Sequence, residues 1–377
     1  MAQTFDICIR GAGVVGRTLA LLLARERLRV ALVAPAPTPA DAPDVRAYAL
    51  NAASHALLHS LRAWPDARHA TPVLRMEVAA DQDGAVQFDA LTQGADALAW
   101  IVDVPALEAR LIDAVRFQPQ VEVLDAPVAA PLTVVCEGRA SRTRALLGVE
   151  FDVTPYGQTA IATRLECELP HGQVARQWFA PDGSVLAFLP LGGPAGNSVA
   201  VVWSVPDDQA AQWLAADDDS FTQALAQASR GALGALRMSA PRASWPLQRA
   251  RARRWCGRMP GPSAAAWVLA GDAAHNVHPL AGQGLNLGLA DAQALAQALR
   301  ERESWRPLHD LRPLRRYERQ AKAALLPAGL VMDGLQQLFA RREATIAALR
   351  NWGMNGFAHS GPLKHWVARR AMGQLAR

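Results

Sequence analysis

The sequence predicts an α/β (α+β) protein: a doubly wound, Rossmann-type lobe, a second lobe of antiparallel strands, and helices at the C-terminal end. Three observations carry this reading. Positions 5 to 33 run strand, Gly-x-Gly-x-x-Gly turn, apolar helix, strand. From Val153 to Val205 strand patterns dominate and helix signals are few. From Trp267 to Leu299 the chain returns to a buried strand, a glycine-bearing loop and an amphipathic helix.

Taken in order, Phe5 to Arg10 reads as a short buried strand, Leu19 to Ala24 as apolar helix and Val30-Ala31-Leu32-Val33 as the second strand. Between strand and helix, Gly11, Gly13, Val15 and Gly16 belong to a turn of the kind that lets a backbone approach a pyrophosphate. A fold of this kind normally ends its second strand in Asp or Glu; here Ala34 stands there, followed by Pro35-Ala36-Pro37. Ser54 to Trp64 predicts a helix, Val73 to Phe88 a hairpin around Asp81-Gln82-Asp83-Gly84, and Ala106 to Val115 another helix. Val121 to Leu124 and Leu132 to Cys136 are two further strands with a short link.

Tyr156–Ala162, Ala175–Phe179, Val185–Leu191 and Ser198–Ser204 read as consecutive antiparallel strands of one sheet. Trp178, Phe188 and Trp203 on these strands are either pocket lining or, as is commoner for alternating aromatic residues, core. Phe221 to Met238 predicts helix, and Trp245-Pro246-Leu247 leads through an arginine-rich segment to Trp267. At the C-terminal end, Tyr317 to Leu326 and Met332 to Leu349 predict two amphipathic helices.

The stretch after Trp267 carries the most chemistry. Gly271-Asp272 breaks an apolar strand and delivers a carboxylate beyond its end, where it can hold a sugar hydroxyl. Pro279, Gly282 and Gly284 then lead into a helix with apolar residues at Leu285, Leu289, Ala292, Leu295 and Leu299. The free N–H groups of that helix's first turn favour an anionic or electron-rich group.

These residues, GDAAH…HPLAGQGLNLGL…DA, resemble the second FAD-binding motif of the class A flavoprotein aromatic hydroxylases, and within them the UbiH/UbiF/VisC/Coq6-like ubiquinone-biosynthesis monooxygenases. Asp44-Val45-Arg46-Ala47-Tyr48-Ala49-Leu50 is similar to the family's D-x-R-x-x-A-L segment, and Glu137-Gly138-Arg139-Ala140-Ser141 to its DG motif, with Glu for Asp. The strands between Tyr156 and Ser204 are similar to its substrate domain. The resemblance implies a p-hydroxybenzoate-hydroxylase-like fold, with a discontinuous FAD lobe (1–75, 98–150 and 255–304), a substrate lobe (76–97 and 151–254) and a helical region (305–377).

It further implies a FAD monooxygenase that takes hydride from NAD(P)H and hydroxylates a phenolic ring through a flavin C4a-hydroperoxide. The cofactor carries the hard step, so no catalytic side chain is assigned; His278 is a substrate-side candidate, though a structural histidine hydrogen-bonded in the loop is the commoner case. The cofactor-binding set is Gly11, Gly13, Val15, Gly16, Arg46, Glu137, Gly138, Gly271, Asp272, Pro279, Gly282, Gly284, Leu285 and Asn286. Two further departures from the family are Pro105, where an arginine near the flavin is usual, and the absence of a β-meander between the strands at 121–124 and 132–136. Three readings stay open: a polyprenylated phenol on the way to ubiquinone, another small aromatic substrate, or a relative without flavin that acts as a binding or assembly subunit.

Composition narrows the partners. With 51% hydrophobic residues the chain can bury a large core. Its four cysteines have neither metal-site nor disulfide spacing, so no metal is expected. The net charge of +5 is spread along the chain without a nucleic-acid motif, so nucleic acid is not an expected partner. With small clusters at Arg249–Arg254, Arg312–Arg319 and Arg369–Arg370, that charge better suits a loose attraction to anionic lipid headgroups. A start without a signal-peptide pattern and the lack of an apolar run of about 18 residues lead to the expectation of a cytoplasmic protein, peripheral at most on a membrane's inner face.

Overall fold

The computed structural model describes residues 4–34, 43–79, 85–276 and 283–340. The chain opens with β1 (Ile7–Arg10), α1 (Val14–Arg25) and β2 (Val30–Val33), followed by β3 (Ala47–Leu50), α2 (Ala52–Ser60) and β4 (Ala70–Val73). A hairpin of β5 (Arg75–Ala79) and β6 (Ala85–Asp89) precedes β7 (Ala99–Asp103), α3 (Val104–Arg116), β8 (Val121–Leu124), β9 (Leu132–Val135) and the short α4 (Arg142–Leu146). Then come β10 (Phe151–Cys167), β11 (Val174–Phe179), β12 (Val185–Pro190), β13 (Ser198–Pro206), α5 (Asp207–Ala215), α6 (Asp218–Ala228), β14 (Leu236–Met238) and β15 (Ala243–Ala252). The last elements are β16 (Cys256–Arg258), β17 (Ala266–Leu269), β18 (His275–Asn276), α7 (Gln283–Arg300) and α8 (Leu311–Ala340).

One sheet has the order β16-β17-β9-β1-β2-β8, parallel from β17 to β8. Its central strands are buried on both faces, which is why β2 and β17 read as unbroken apolar runs, and β9 as one broken only by Thr133, rather than as alternating ones. β8 is the edge, and its Glu122 and Val123 are exposed. α1 packs on α3 and α7, and α7 on α8. Leu19, Leu23, Leu32, Leu289 and Leu295 are each fully buried in the shared core, every one worth roughly 1.5–3 kcal/mol against exposure.

The second sheet runs β18-β15-β10-β13-β12-β11-β5-β6, with β14 beside β10. The strands expected between Tyr156 and Ser204 are all present, but β10 pairs with β13 rather than with β11, and β11 lies parallel to β5. A third, small sheet has the order β3-β7-β4.

Local chemistry explains the departures from expectation. The helix expected through Met238 stops at Ala228, because Gly231 and Gly234 take positive φ and turn the chain into β14. Pro246 lies within β15, where it is tolerated because β18 covers that strand only at Ala250 and Arg251 and leaves it an edge elsewhere. The two expected C-terminal helices are joined in α8 as far as Ala340. The tip of the expected hairpin at residues 80–84 lies outside the described residues.

Candidate functional site

The ends of β1, β9 and β17 open on one cavity of about 610 Å³, closed on the other side by the second sheet. This is the carboxyl edge of a parallel sheet, where doubly wound folds bind ligands. The first glycine turn is shaped by contact. A Cβ on Gly11, whose φ is +106°, would lie 2.4 Å from the Cys136 carbonyl oxygen, and one on Gly16 only 1.9 Å from that of Gly11. Gly13 differs: nothing lies within 4 Å of a Cβ there, and it is the N-cap of α1 with no side chain closing the helix end. Gly13, Val14 and Val15 line the cavity, so the first turn of α1 presents backbone N–H groups and the positive end of its dipole to that space.

At the end of β17, Gly271 takes φ +62° and turns Asp272 into the cavity. Asp272 is reachable from the cavity yet ringed by protein; burial raises its carboxyl above the usual range, and the nearby His275 and Arg139 charges only partly oppose this. Val15 wedges α1 against this turn: its methyls lie 3.3 Å from where a Cβ on Gly271 would stand and 2.8 Å from one on Gly288 in α7.

Several residues chosen from the sequence meet here. Gly13, Val15, Arg46, Gly138, Gly271, Asp272, Gly284 and Leu285 all line the cavity. Gly11 and Gly16 act beneath it, by allowing close packing. Arg46 is held by Asp44 at 2.6 Å, with Glu108 at 3.9 Å; the hydrogen bonds that it donates to Asp44 raise the guanidinium's already high pKa further, so it stays charged. Burial raises the phenol of Tyr48 beside it.

Glu137 and Asn286 have side chains committed elsewhere. Glu137 accepts hydrogen bonds from Ser141 Oγ at 2.7 Å, Thr143 N–H at 3.0 Å and Thr143 Oγ1 at 2.5 Å, and Arg10 Nε lies 3.2 Å away. Burial alone would raise its carboxyl, but these partners offset that and hold it below the usual range. The extra methylene lets the carboxylate turn back onto the start of α4, while the backbone of Gly138 faces the cavity. The Asn286 side-chain oxygen accepts from Asn51 N–H at 3.0 Å and Ser54 Oγ at 2.7 Å, and its amide donates to the Ala49 carbonyl at 2.8 Å, tying α7 to the start of α2. His278, Pro279 and Gly282 lie outside the described residues.

Pro105 occupies the first turn of α3 behind the N-cap Asp103, where no backbone N–H is needed. One turn on, Glu108 reaches the cavity wall. At the end of β2, Ala34 brings no carboxylate; its N–H continues the sheet by donating to Leu124 at 2.9 Å. Trp178, Phe188 and Trp203 pack with Phe221 and Leu225 of α6 on the far face of the second sheet; Phe188 is core, while Trp178 and Trp203 also line a separate small pocket there of about 140 Å³. Sequence reasoning missed Asp291 and Ser54, buried side chains that fix the turns around the site.

Comparison with known proteins agrees with this geometry. The FAD binding domain family matches residues 115–323. The 3-demethoxyubiquinol 3-hydroxylase of Escherichia coli is 30% identical, over 98% of this chain and 99% of that protein. The chain belongs to this family of FAD-dependent monooxygenases. Ubiquinone hydroxylase UbiL of Rhodospirillum rubrum is a second relative, 29% identical over 98% of this chain and 90% of its own. The fold is that of the p-nitrophenol 4-monooxygenase structure from Pseudomonas putida, at a TM-score of 0.77 with 18% identity and full coverage of both chains. The family's cofactor, FAD, and its p-hydroxybenzoate-hydroxylase-like architecture are therefore this chain's as well. Among the described residues no helix is long and apolar enough to cross a membrane.

Proposed function

We propose that this monooxygenase hydroxylates an oxygen-bearing aromatic ring on the route to ubiquinone, the class of substrate named for its relatives in Escherichia coli and Rhodospirillum rubrum. Hydroxylation of another small aromatic compound is the alternative. One observation carries the reading: a single cavity joins the uncapped N-terminus of α1 and the Asp272 carboxylate to the apolar face of an antiparallel sheet.

The residues fit FAD. The open space over Gly13 and the N–H groups of Val14 and Val15 suit a pyrophosphate, with Arg46 supplying a nearby positive charge. Asp272 would accept from a hydroxyl of the sugar-alcohol chain, and the backbone of Gly138, Gly284 and Leu285 would close around the remainder. Bound FAD supplies the electron transfer from NAD(P)H and the activation of O2. The chain's own contribution is to orient the ring and exclude water, using apolar side chains such as Ala187, Leu189 and Val202 on the sheet side. Ala34 leaves the adenosine ribose without its usual carboxylate, so affinity rests on the pyrophosphate and Asp272 ends of the site.

The same reading divides the chain into a cofactor lobe (1–75, 98–150 and 255–304), a substrate lobe (76–97 and 151–254) and a helical region from 305, with peripheral attraction to an anionic membrane surface. β18 pairs with β15 of the second sheet, so the stretch from 255 to 304 also reaches into the substrate side. The test is purification with added FAD, followed by expression in a bacterium lacking 3-demethoxyubiquinol 3-hydroxylase. Bound flavin and restored ubiquinone are expected. A protein that stays colourless defeats the cofactor site, and a yellow protein that restores no quinone defeats the substrate.

A further inference from the structure

We propose that the small pocket on the far face of the second sheet is a binding site for an aryl carboxylate, separate from the cavity that holds the cofactor. Its walls follow from strand register. Trp178 on β11 stands opposite Leu186 on β12, and Leu186 stands opposite Trp203 on β13, so the three side chains project in a row from one face. All three line the pocket, with Leu186 as the step between two indoles. Ring contacts hold both indoles in place. Trp178 meets Phe188 edge-on with centroids 5.1 Å apart, and Trp203 is tilted against Trp213 at 4.9 Å and Phe221 at 5.8 Å. The volume is about 140 Å³, close to the roughly 150 Å³ of an engineered apolar cavity that takes up benzene. The space therefore suits one six-membered ring.

Polar groups decide what the ring carries. Trp203 is 7% exposed, and its indole N–H has no hydrogen-bond partner among the described residues. The N–H of Trp213 also lacks one but is sealed from solvent, whereas that of Trp203 is not. Trp203 lines this pocket and not the large cavity, so its N–H is reached through the pocket. An acceptor on the ligand would complete it.

Charge selects the acceptor. Among the residues that line the pocket Arg230 alone is charged, and it stands exposed at the rim. It follows α6 with φ +54°, a helix-end conformation that glycine usually fills, and Gly231 continues the turn. Asp182, in the turn between β11 and β12, is not part of the lining. Its carboxylate is engaged by Ser184 N–H and Oγ, both at 2.9 Å, and by Gln209 Nε2 at 3.3 Å. An apolar slot with an indole N–H inside and a guanidinium at its mouth complements a carboxylate on an aromatic ring. The large cavity is a separate space, although the same strands build both. Gln177, Ala187 and Val202, each next in sequence to one of the three row residues, line that cavity on the opposite face of the sheet.

Calorimetric titration of the full chain, saturated with FAD, tests this using benzoate and its neutral isostere benzamide as probes. Benzoate is expected to bind with a Kd of about 1 mM or tighter, and about three- to tenfold more tightly than benzamide, the span of a charge-assisted hydrogen bond at an exposed rim. Arg230→Gln, a change at an exposed position, should remove that preference and leave benzamide binding as it was. Trp203→Phe keeps an aromatic wall and removes the N–H, and should weaken both probes about three- to tenfold. Neither change should alter FAD affinity, because neither residue lines the large cavity. Should Trp203→Phe fail to fold, Arg230→Gln decides alone. The proposal is overturned by benzoate binding that Arg230→Gln leaves unchanged, by an equal or greater affinity for benzamide in the unaltered protein, or by no heat of binding up to about 10 mM benzoate. Binding that Arg230→Gln does not touch would place benzoate in the large cavity instead.

Discussion

The Asp291 carboxylate of α7 lies 2.7 Å from Nε2 of His275 and accepts the Gly271 N–H at 2.9 Å. Both side chains are almost fully buried, and the His275 ring stacks on Trp255 at 5.1 Å. One oxygen from the helix thus fixes the turn that presents Asp272 to the cavity. Asp291→Ala should cost roughly 2–4 kcal/mol, from two orphaned buried groups at about 1–2 kcal/mol each. It should also weaken FAD binding although Asp291 is not among the cavity-lining residues. Urea denaturation and a flavin titration check this, and a stability loss within error would show that the contact is incidental.

Gly13 and Gly16 are three residues apart and should fail in opposite ways. Gly16→Ala places a methyl 1.9 Å from a backbone oxygen, which cannot move without breaking the β1–α1 turn, so little folded protein is expected. Gly13→Ala meets no atom within 4 Å and has an ordinary negative φ, so stability should change by less than about 1 kcal/mol. The added methyl would stand where a pyrophosphate must approach, and FAD affinity should fall at least about tenfold, or 1.4 kcal/mol. Thermal melts with flavin titrations separate the two; unchanged FAD affinity in Gly13→Ala would move the pyrophosphate elsewhere.

The same contrast shows what was legible in the sequence. The βαβ glycines and Gly271-Asp272 could be read because their function depends on local backbone shape, which a short run of residues determines. The strand pattern from Tyr156 to Ser204 gave the elements but not their order, since β10 reaches β13 across the sheet and β11 takes β5 from far upstream. Glu137 looked like a cofactor ligand because its motif has one, yet its longer side chain turns back to α4, a choice visible only once Thr143 is placed. Asp291 stands in the closing DA of the matched motif, but its role shows only once the fold has placed its partners His275 and Gly271.

Two carboxylates near the site should respond to pH with opposite signs. Glu137 is held below its ordinary value of 4.5, so its contribution to stability is complete above that pH and is lost as pH falls through the depressed value. Asp272 is raised above 3.8, so its ionisation opposes folding: stability declines as pH rises from 3.8 through the raised value, and the deficit persists at neutral pH. Glu137→Gln should therefore be less stable at pH 7 and show a shallower acid limb. Asp272→Asn should leave the flavin-free protein at least as stable at pH 7 while weakening FAD binding. Denaturation midpoints from pH 3 to pH 8, measured without flavin, check the signs; a large destabilisation in Asp272→Asn would contradict the assignment.

Arg164 should couple the two sides of the cavity. From β10 its guanidinium meets Asp103 at 2.6 Å and donates to the carbonyls of Val45 and Arg46 at 3.3 and 3.4 Å, bridging the second sheet to the segment that carries Arg46. Asp103 is also the N-cap of α3, accepting from Ala106 N–H at 3.1 Å, so removal of its partner leaves that carboxylate desolvated but still capping. Arg164→Met keeps the apolar stem and removes the charge, and should cost roughly 1.5–3 kcal/mol for a charged hydrogen bond lost from a partly buried site. The bridge also holds the segment that carries Arg46, so FAD affinity should fall with it. A double change with Asp103→Asn distinguishes coupling from simple loss: the two effects should be less than additive, and strict additivity would show that the lobes are held by other contacts.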